Sequence, residues 1–560
     1  MIRPTDLFSF LRSSLGSGAL FWWLVVATIA LLIMIPVVYV GASLFTDQSR
    51  VWQQLLPVMG EYVLNSWLLM VGVGAGVLVL GVITGWLVAA CDFPGRRWLE
   101  WGLLMPLAAP AYLLAYTYTN LLDYYGPVQS WLRFLFHWQE VTDYWFPNIR
   151  SLGGAIIMFI FVLYPYVYLL ARTSFLEQGL STLEASRSLG CNPWQSFWRV
   201  ALPLARPAIA TGVALVLMET LNDFGTVQYF GVNTFTTGIY NTWFGLGEQQ
   251  GAAQLAACLL VLIAGLVGLE LYGRHRVRYY QNHCATSPLP RYCLGGGRGW
   301  SALALCLLPL LLGFIVPAVY LLYLALVESQ DIENNNFWQL ASHSLILAST
   351  TALLAIGCGL ILAYGQRLMA HPVMTGAVRL AAGGYALPGS LIAVGVLIPA
   401  GYFDNALDSW MQRHWQISTG LLLSGTITLL IYAYLVRFLA VAFGALESSL
   451  QKIKPSLDDA ARSLGHSPLP ILMKIHIPLL SGGLLTALML VFVDVMKELP
   501  ATLVIRPFNF DTLAVRVYQY ASDERLVEAA APAIAILAVG LIPVVLLSLQ
   551  MSQSRPLSHL

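Results

Sequence analysis

The chain reads as an all-α polytopic membrane protein: twelve transmembrane helices in two parallel halves of six, related by a pseudo-twofold axis. Three observations predict this. Of its 560 residues, 58% are hydrophobic and only 10% charged, and the mean hydropathy is +0.71, a balance too apolar for a soluble domain. Apolar runs of bilayer-crossing length, roughly 20 residues, recur along the whole chain. Two polar stretches 275 residues apart carry one pattern: Glu184-Ala-Ser-Arg-Ser-Leu-Gly190 closing on Leu202-Pro203, and Asp459-Ala-Ala-Arg-Ser-Leu-Gly465 closing on Ile477-Pro478.

The apolar runs lie near 20–43, 62–90, 99–121, 152–171, 206–230 and 252–272, then near 301–327, 341–366, 376–401, 417–440, 480–503 and 529–550. Acids interrupt two of them, 206–230 and 480–503. Arg3 and Arg12 precede a first run too long for the core of a cleaved signal, so that run is expected to be retained as a span. Lys and Arg favour cytoplasmic loops. With both termini inside, most of the 29 basic residues fall on that side, among them Arg96, Arg97, Arg172, Arg187, Arg199, Arg274, Arg276, Arg278, Arg437, Lys452, Lys454 and Arg462. Both polar stretches then face the cytoplasm. A net charge of +1 argues for neither nucleic acid nor an acidic substrate. The seven cysteines show no paired metal spacing; even Cys284 and Cys293, near His283, lack a second histidine.

The duplication extends beyond the two stretches. Asn65-Ser66 matches His343-Ser344, Gly81 matches Gly359 and Pro110 matches Pro388, all at an offset of 278. The expected organisation is a first half over 1–272, a cytoplasmic linker over 273–299 and a second half over 300–560. Each half has an even number of spans, so the halves run parallel and a central path between them is the natural place for a ligand. Gly72, Gly76, Gly81 and Gly85 form small-xxx-small patterns that let helices approach closely in lipid.

The polar stretches have a local logic. Ser181-x-x-Glu184 and Ser456-x-x-Asp459 match the capping box, with serine accepting from an early helix N–H and the acid reaching back. Gly190 and Gly465 are placed to end each short helix in the left-handed conformation, with Pro193 and Pro468 three residues on. A second short helix then leads through Pro203 or Pro478 back into the bilayer. Helices that merely cap a bundle would explain one copy; two copies with matched spacing favour a paired docking surface.

These residues resemble the EAA motif of binding-protein-dependent ABC importer permeases, and the resemblance covers nearly the whole chain as two fused permease domains. It implies a type I ABC importer-like fold in a bacterial inner membrane. The coupling loops lie at about 173–205 and 445–480, with Glu184, Ala185, Gly190, Pro203, Asp459, Ala460, Gly465 and Pro478 at the ATPase-coupling positions. Ser186 replaces an alanine in the first copy, and Asp459 a glutamate in the second. The implied partners are a cytoplasmic ABC ATPase homodimer that carries ATP and a periplasmic substrate-binding protein. The chain itself is expected not to be an enzyme: a P-loop needs Gly-Lys-Ser/Thr, and none of Lys452, Lys454, Lys474 and Lys497 follows a glycine.

After each coupling loop comes a span with acids at equivalent places, Glu219 and Asp223, then Asp494 and Glu498. Each pair is spaced to share one helix face. Ionisable groups at membrane depth usually face a protein interior or a water path. Four carboxylates, with phenols from Tyr229 and Tyr240, would suit a hard cation. The competing reading is that these acids pair with Lys497 or cap helices. Met218 to Gly231 with Thr236 to Tyr240, and Met496 to Thr502 with Arg506 to Thr512, look like the fused permeases of ferric-iron importers. That resemblance implies ferric iron as the substrate; related fused permeases import thiamine or phosphonates. A secondary transporter would not need two matched docking loops, and an embedded enzyme would need a catalytic cluster that nine scattered histidines do not form.

Overall fold

The computed structural model describes residues 17–46, 49–178, 190, 192–275, 291–328, 336–369 and 371–553. The chain is helical almost throughout. Among the described residues, ten helices are long and apolar enough to cross a membrane, or up to twelve spans if each of two bent helix pairs counts as one. The bent pairs are Arg96–Ala108 with Ala111–Phe136, at 93°, and Pro468–Leu479 with Ser481–Met496, at 78°.

Two predicted spans are shifted. The run 376–401 is divided: a helix Pro372–Ala381 and a 3-10 turn end before Pro388, and the long helix runs from Gly389 to Trp415. Pro388 disfavours helical backbone at Leu387 while itself fitting a helix start. The run expected at 417–440 begins only at Ile427, because Gly420 and Gly425 hold left-handed turns ahead of it. The spans interrupted by acids end early, at Asn222 and Met496, and each is followed by a short helix, Gly225–Tyr229 or Pro500–Ile505.

Two compact units emerge, and neither coincides with a sequence half. The N-half unit comprises Trp52–Gly238, Leu259–Asn335 and Val517–Leu560; the C-half unit comprises Met1–Val51, Ile239–Cys258 and Asn336–Arg516. The first helix of each half therefore belongs to the unit built mainly by the other half. In the C-half unit, Ser17–Ser43 is held by close backbone approach. A Cβ on Gly395 would stand 2.7 Å from the Pro36 oxygen, and one on Gly365 2.9 Å from Val26 Cγ2. Tyr432 also donates its hydroxyl to the Leu32 carbonyl at 2.5 Å. In the N-half unit the helices from Gly297 to Tyr323 are seated the same way, with Tyr118 donating to the Leu312 carbonyl at 2.6 Å and Tyr320 to Asn120 at 2.5 Å.

The glycine pattern explains the central packing of the N-half unit. Gly72, Gly76, Gly81 and Gly85 lie against Ile156, Ile160, Val167 and Ala171 of the helix Leu152–Glu177. Gly359 meets the Phe443 backbone nitrogen at 3.2 Å from its Cβ position, giving the C-half unit the same groove. The duplicated polar pairs anchor loops to these helices: Asn65 donates to the Asn233 carbonyl at 2.9 Å, and the Ser344 hydroxyl accepts from Leu513 N at 2.9 Å. Beyond the linker residues outside the description, Tyr292–Cys293 pairs in parallel with Cys91–Asp92.

Candidate functional site

The second coupling loop is described in full. Its helix runs from Pro455 to Ser463, with Lys454 at the N-cap and no side-chain cap. The expected capping box between Ser456 and Asp459 does not form, because Pro455, with its preset φ, occupies the first helical position and places Ser456 inside the helix. The end is as expected: Gly465 has φ +82°, its N–H reaches the Arg462 carbonyl at 2.9 Å, and His466 N–H reaches Ala461 at 3.1 Å. These two bonds make a Schellman stop, which leaves Gly465 in a conformation that a side chain would strain.

One face of this helix is anchored, and another is open. Asp458 is buried, with Arg367 Nε donating to it at 2.7 Å and His476 Nε2 standing 2.8 Å from its other oxygen. Arg367 also donates to the Leu450 and Ile453 carbonyls, at 2.7 and 3.0 Å. The hydroxyl of Tyr364 donates to the Pro468 carbonyl at 2.7 Å, tying the next turn to the same helix, Phe337–Leu368. Leu457, Asp459, Ala460, Leu464 and Gly465 are exposed. The loop is thus a short rigid helix with a free, partly apolar face.

In the first loop, Glu184 and Ala185, with the Ser181 box, lie outside the described residues. Gly190 is exposed with φ +81°, matching Gly465. A reciprocal cap appears one helix later than expected: Gln195 N–H donates to the Asn192 side chain at 2.8 Å, and Asn192 N–H to Gln195 at 3.1 Å. The support beneath differs in kind. Trp86, equivalent to Tyr364, packs on Phe175 and Phe197 with ring centroids 5.3 and 5.1 Å away. Aromatic packing stands here where the second loop has charges.

Both loops lead into the following long apolar segment through a widened turn. Phe197–Ala201 and Leu472–His476, again 275 apart, are π-helical, and Pro203 or Pro478 follows two residues later. Proline has no N–H and crowds the carbonyl four residues back, and a π turn accommodates both defects.

The four acids of the broken spans do not act alike. Asp494 is paired with Lys497 at 2.9 Å. Glu219 has no ion-pair partner among the described residues and is partly exposed on the helix Leu202–Asn222. Asp223 and Glu498, equivalent in the repeat, each cap the short helix after the break. Asp223 accepts from Thr226 N at 2.8 Å and from Thr226 Oγ1 at 3.1 Å. Glu498 accepts from Ala501 N at 3.0 Å, Thr502 N at 3.1 Å and Thr502 Oγ1 at 2.7 Å. Glu498 is also paired with buried Arg437 at 2.7 Å. Tyr229 belongs to the N-half unit with Asp223, whereas Tyr240 belongs to the C-half unit beside Arg506.

Sequence reasoning missed Arg367, Asp458 and Arg437 as anchoring positions, and Arg437, counted above among the bases of the cytoplasmic side, is buried within the helix Ile427–Leu450. The signal for two of them was available: a charge inside an apolar span, at Arg437, and a second acid beside the motif, at Asp458.

Long apolar helices joined by a short, exposed loop helix are those of a multi-pass membrane protein. A family model described as the binding-protein-dependent transport system inner membrane component matches residues 78–278. The chain is 26% identical over 496 residues to the Fe(3+)-transport system permease protein FbpB 2 of Haemophilus influenzae, covering 88% of this chain and 90% of that one. It is 33% identical over 156 residues to the sulfate permease CysT of Escherichia coli K12, spanning about half (53%) of that protein. With the molybdenum permease ModB of the same organism, 25% of 198 residues are identical, covering 34% of this chain. The chain is thus similar to permeases of binding-protein-dependent transport systems: the family model matches residues 78–278, and the likeness to the Fe(3+)-transport permease extends over 88% of the chain.

Proposed function

We propose that this chain is the permease of a ferric-iron importer, with two fused halves over 1–272 and 300–560 joined by a cytoplasmic linker. The observation that carries the iron reading is the extent of likeness. Similarity to the Fe(3+)-transport permease spans 88% of the chain and therefore both halves, whereas the sulfate and molybdenum permeases match 28% and 34% of it.

In this reading both termini are cytoplasmic, and each coupling loop seats in one subunit of an ATPase homodimer. The residues in contact are Glu184, Ala185 and Gly190 on one side and Asp459, Ala460 and Gly465 on the other, with Pro203 and Pro478 turning the chain back toward the membrane. The open face of Pro455–Ser463 supports this for the second loop. ATP-driven closure of the dimer draws the loops together and moves the permease between inward and outward openings, each state favoured by its own contacts. A periplasmic binding protein delivers the ion on the opposite side.

The test is ATPase activity of the transporter reconstituted with its partner. Iron-loaded binding protein is expected to stimulate it; stimulation only by a sulfate- or molybdate-loaded protein overturns the iron reading. For docking, Gly190→Pro combined with Gly465→Pro is expected to abolish co-purification of the ATPase, and normal co-purification would count against these loops.

A further inference from the structure

The two equivalent helix-capping carboxylates sit in opposite electrostatic surroundings. Glu498 is neutralised by Arg437 at 2.7 Å, and the neighbouring phenol, Tyr434, shares a hydrogen bond with Thr502 at 2.5 Å. Glu498 thus has both a counter-ion and hydrogen-bond donors. The residues 275 positions earlier than Arg437 and Tyr434 are Val162 and Phe159, both buried. Asp223 accordingly has no cation within ion-pair distance among the described residues, although it keeps its cap on Thr226. A carboxylate removed from water without a counter-charge is costly, and costlier at membrane depth.

Phenols gather instead around Tyr116, in the same unit as Asp223. Tyr116, on the helix Ala111–Leu122, is 0% exposed, and its hydroxyl has no hydrogen-bond partner among the described residues. Its ring packs edge-on to Tyr229 at 4.5 Å between centroids and lies 5.7 Å from Tyr112. Tyr518 packs on Phe224, the residue after Asp223, at 5.8 Å. Asp223, Tyr112, Tyr229 and Tyr518 all lie near enough to Tyr116 to act on its phenol electrostatically. Arg150 stands over the Tyr229 ring at 5.2 Å but is itself paired with Glu524 at 3.2 Å. All these groups belong to the N-half unit.

A partly buried carboxylate without a counter-ion among the described residues, near a buried hydroxyl without a partner, is a site short of one cation with a taste for oxygen. We propose that Tyr116, Asp223 and Tyr229, with Tyr112 and Tyr518 behind them, form a transit site that holds ferric iron through phenolate and carboxylate oxygens. The proposal rests on the iron-import reading and assigns the ion to one half of the permease. Hard, highly charged cations prefer such donors, and an uncompensated carboxylate repels an oxyanion. As each phenolate–iron bond forms, the phenol's O–H bond breaks and its proton passes to water. The iron remains ferric throughout, so no electron donor is required.

The experiment uses the permease with its ATPase partner in lipid nanodiscs, titrated with ferric nitrilotriacetate and read by the visible phenolate-to-iron charge-transfer band. Wild type is expected to show the band. Tyr116→Phe and Tyr229→Phe should each lose most of it, and Asp223→Asn should weaken binding by about tenfold. Tyr434→Phe, in the other unit, should keep it. Absence of the band in wild type, or an undiminished band in both Tyr116→Phe and Tyr229→Phe, overturns the site. Size-exclusion elution with the ATPase checks that each variant is folded, and either tyrosine variant suffices if the other is not. Stimulation by iron-loaded binding protein without any band leaves the import reading standing and removes the site; stimulation by an oxyanion-loaded protein alone removes both.

Discussion

Replacing Arg437 with methionine tests whether the C-half unit is held by a buried charge pair. Its side chain is 9% exposed and that of Glu498 is 1% exposed, with 2.7 Å between nitrogen and oxygen. At an effective dielectric of about 20, unit charges that close attract by about 6 kcal/mol, most of which offsets the cost of taking both from water. Arg437→Met deletes the attraction and leaves the Glu498 desolvation in place, for an expected loss of about 3–5 kcal/mol. The three hydrogen bonds from Ala501 and Thr502 remain and keep the loss toward the lower figure. Glu498→Gln in the same background removes the stranded charge and sacrifices one cap acceptor, a loss of about 1 kcal/mol. The double variant should therefore be more stable than Arg437→Met alone. The assay is a double-mutant cycle on unfolding in mixed micelles, followed by intrinsic tryptophan fluorescence. If the two single losses simply add, the charges do not depend on one another and the reasoning fails.

Arg367→Met should loosen the second coupling loop, because Asp458 and two carbonyls lose one shared donor. Hydrogen exchange over 455–480 is expected to rise roughly 30-fold, matching about 2 kcal/mol, and ATPase stimulation should fall while the complex still assembles; unchanged exchange would contradict the anchor. Gly81→Ala places a Cβ 2.7 Å from Val167 Cβ and 3.0 Å from the Tyr168 backbone nitrogen, so a loss of about 1–3 kcal/mol is expected in the same unfolding assay. Gly444→Ala, with nothing within 4 Å, serves as its control and should be neutral or slightly stabilising. Gly389→Ala would set a methyl 2.6 Å from Glu498 Oε1 and 2.7 Å from Arg437 Nη1. Its destabilisation should shrink in the Arg437→Met background, and full additivity would show that the glycine is not there for the ion pair.

Much of the coupling loop was legible in advance because its signals are local. Gly465 ends its helix in a left-handed turn for reasons contained in a few neighbouring residues. The start of the same helix was misread: Pro455 and Ser456 both signal an N-terminus, and the proline's fixed φ prevailed. The acids of the broken spans were legible as a set but not in role. Asp223 and Glu498 share a capping geometry, yet Glu498 has an arginine beside it and Asp223 has no ion-pair partner among the described residues. Those partners come from helices tens to hundreds of residues away, and no local pattern announces them.

Membrane residence and the internal duplication were legible in the sequence alone, since each depends on composition and on order along the chain. Only the tertiary structure decided that Ser17–Ser43 belongs with the second half and Gly297–Tyr323 with the first. A bilayer-crossing run is apolar all round whatever it packs against, because lipid and helix neighbours are equally greasy. Its place is chosen by close approach at glycines such as Gly365 and Gly395, and by single tyrosine hydroxyls that find distant carbonyls.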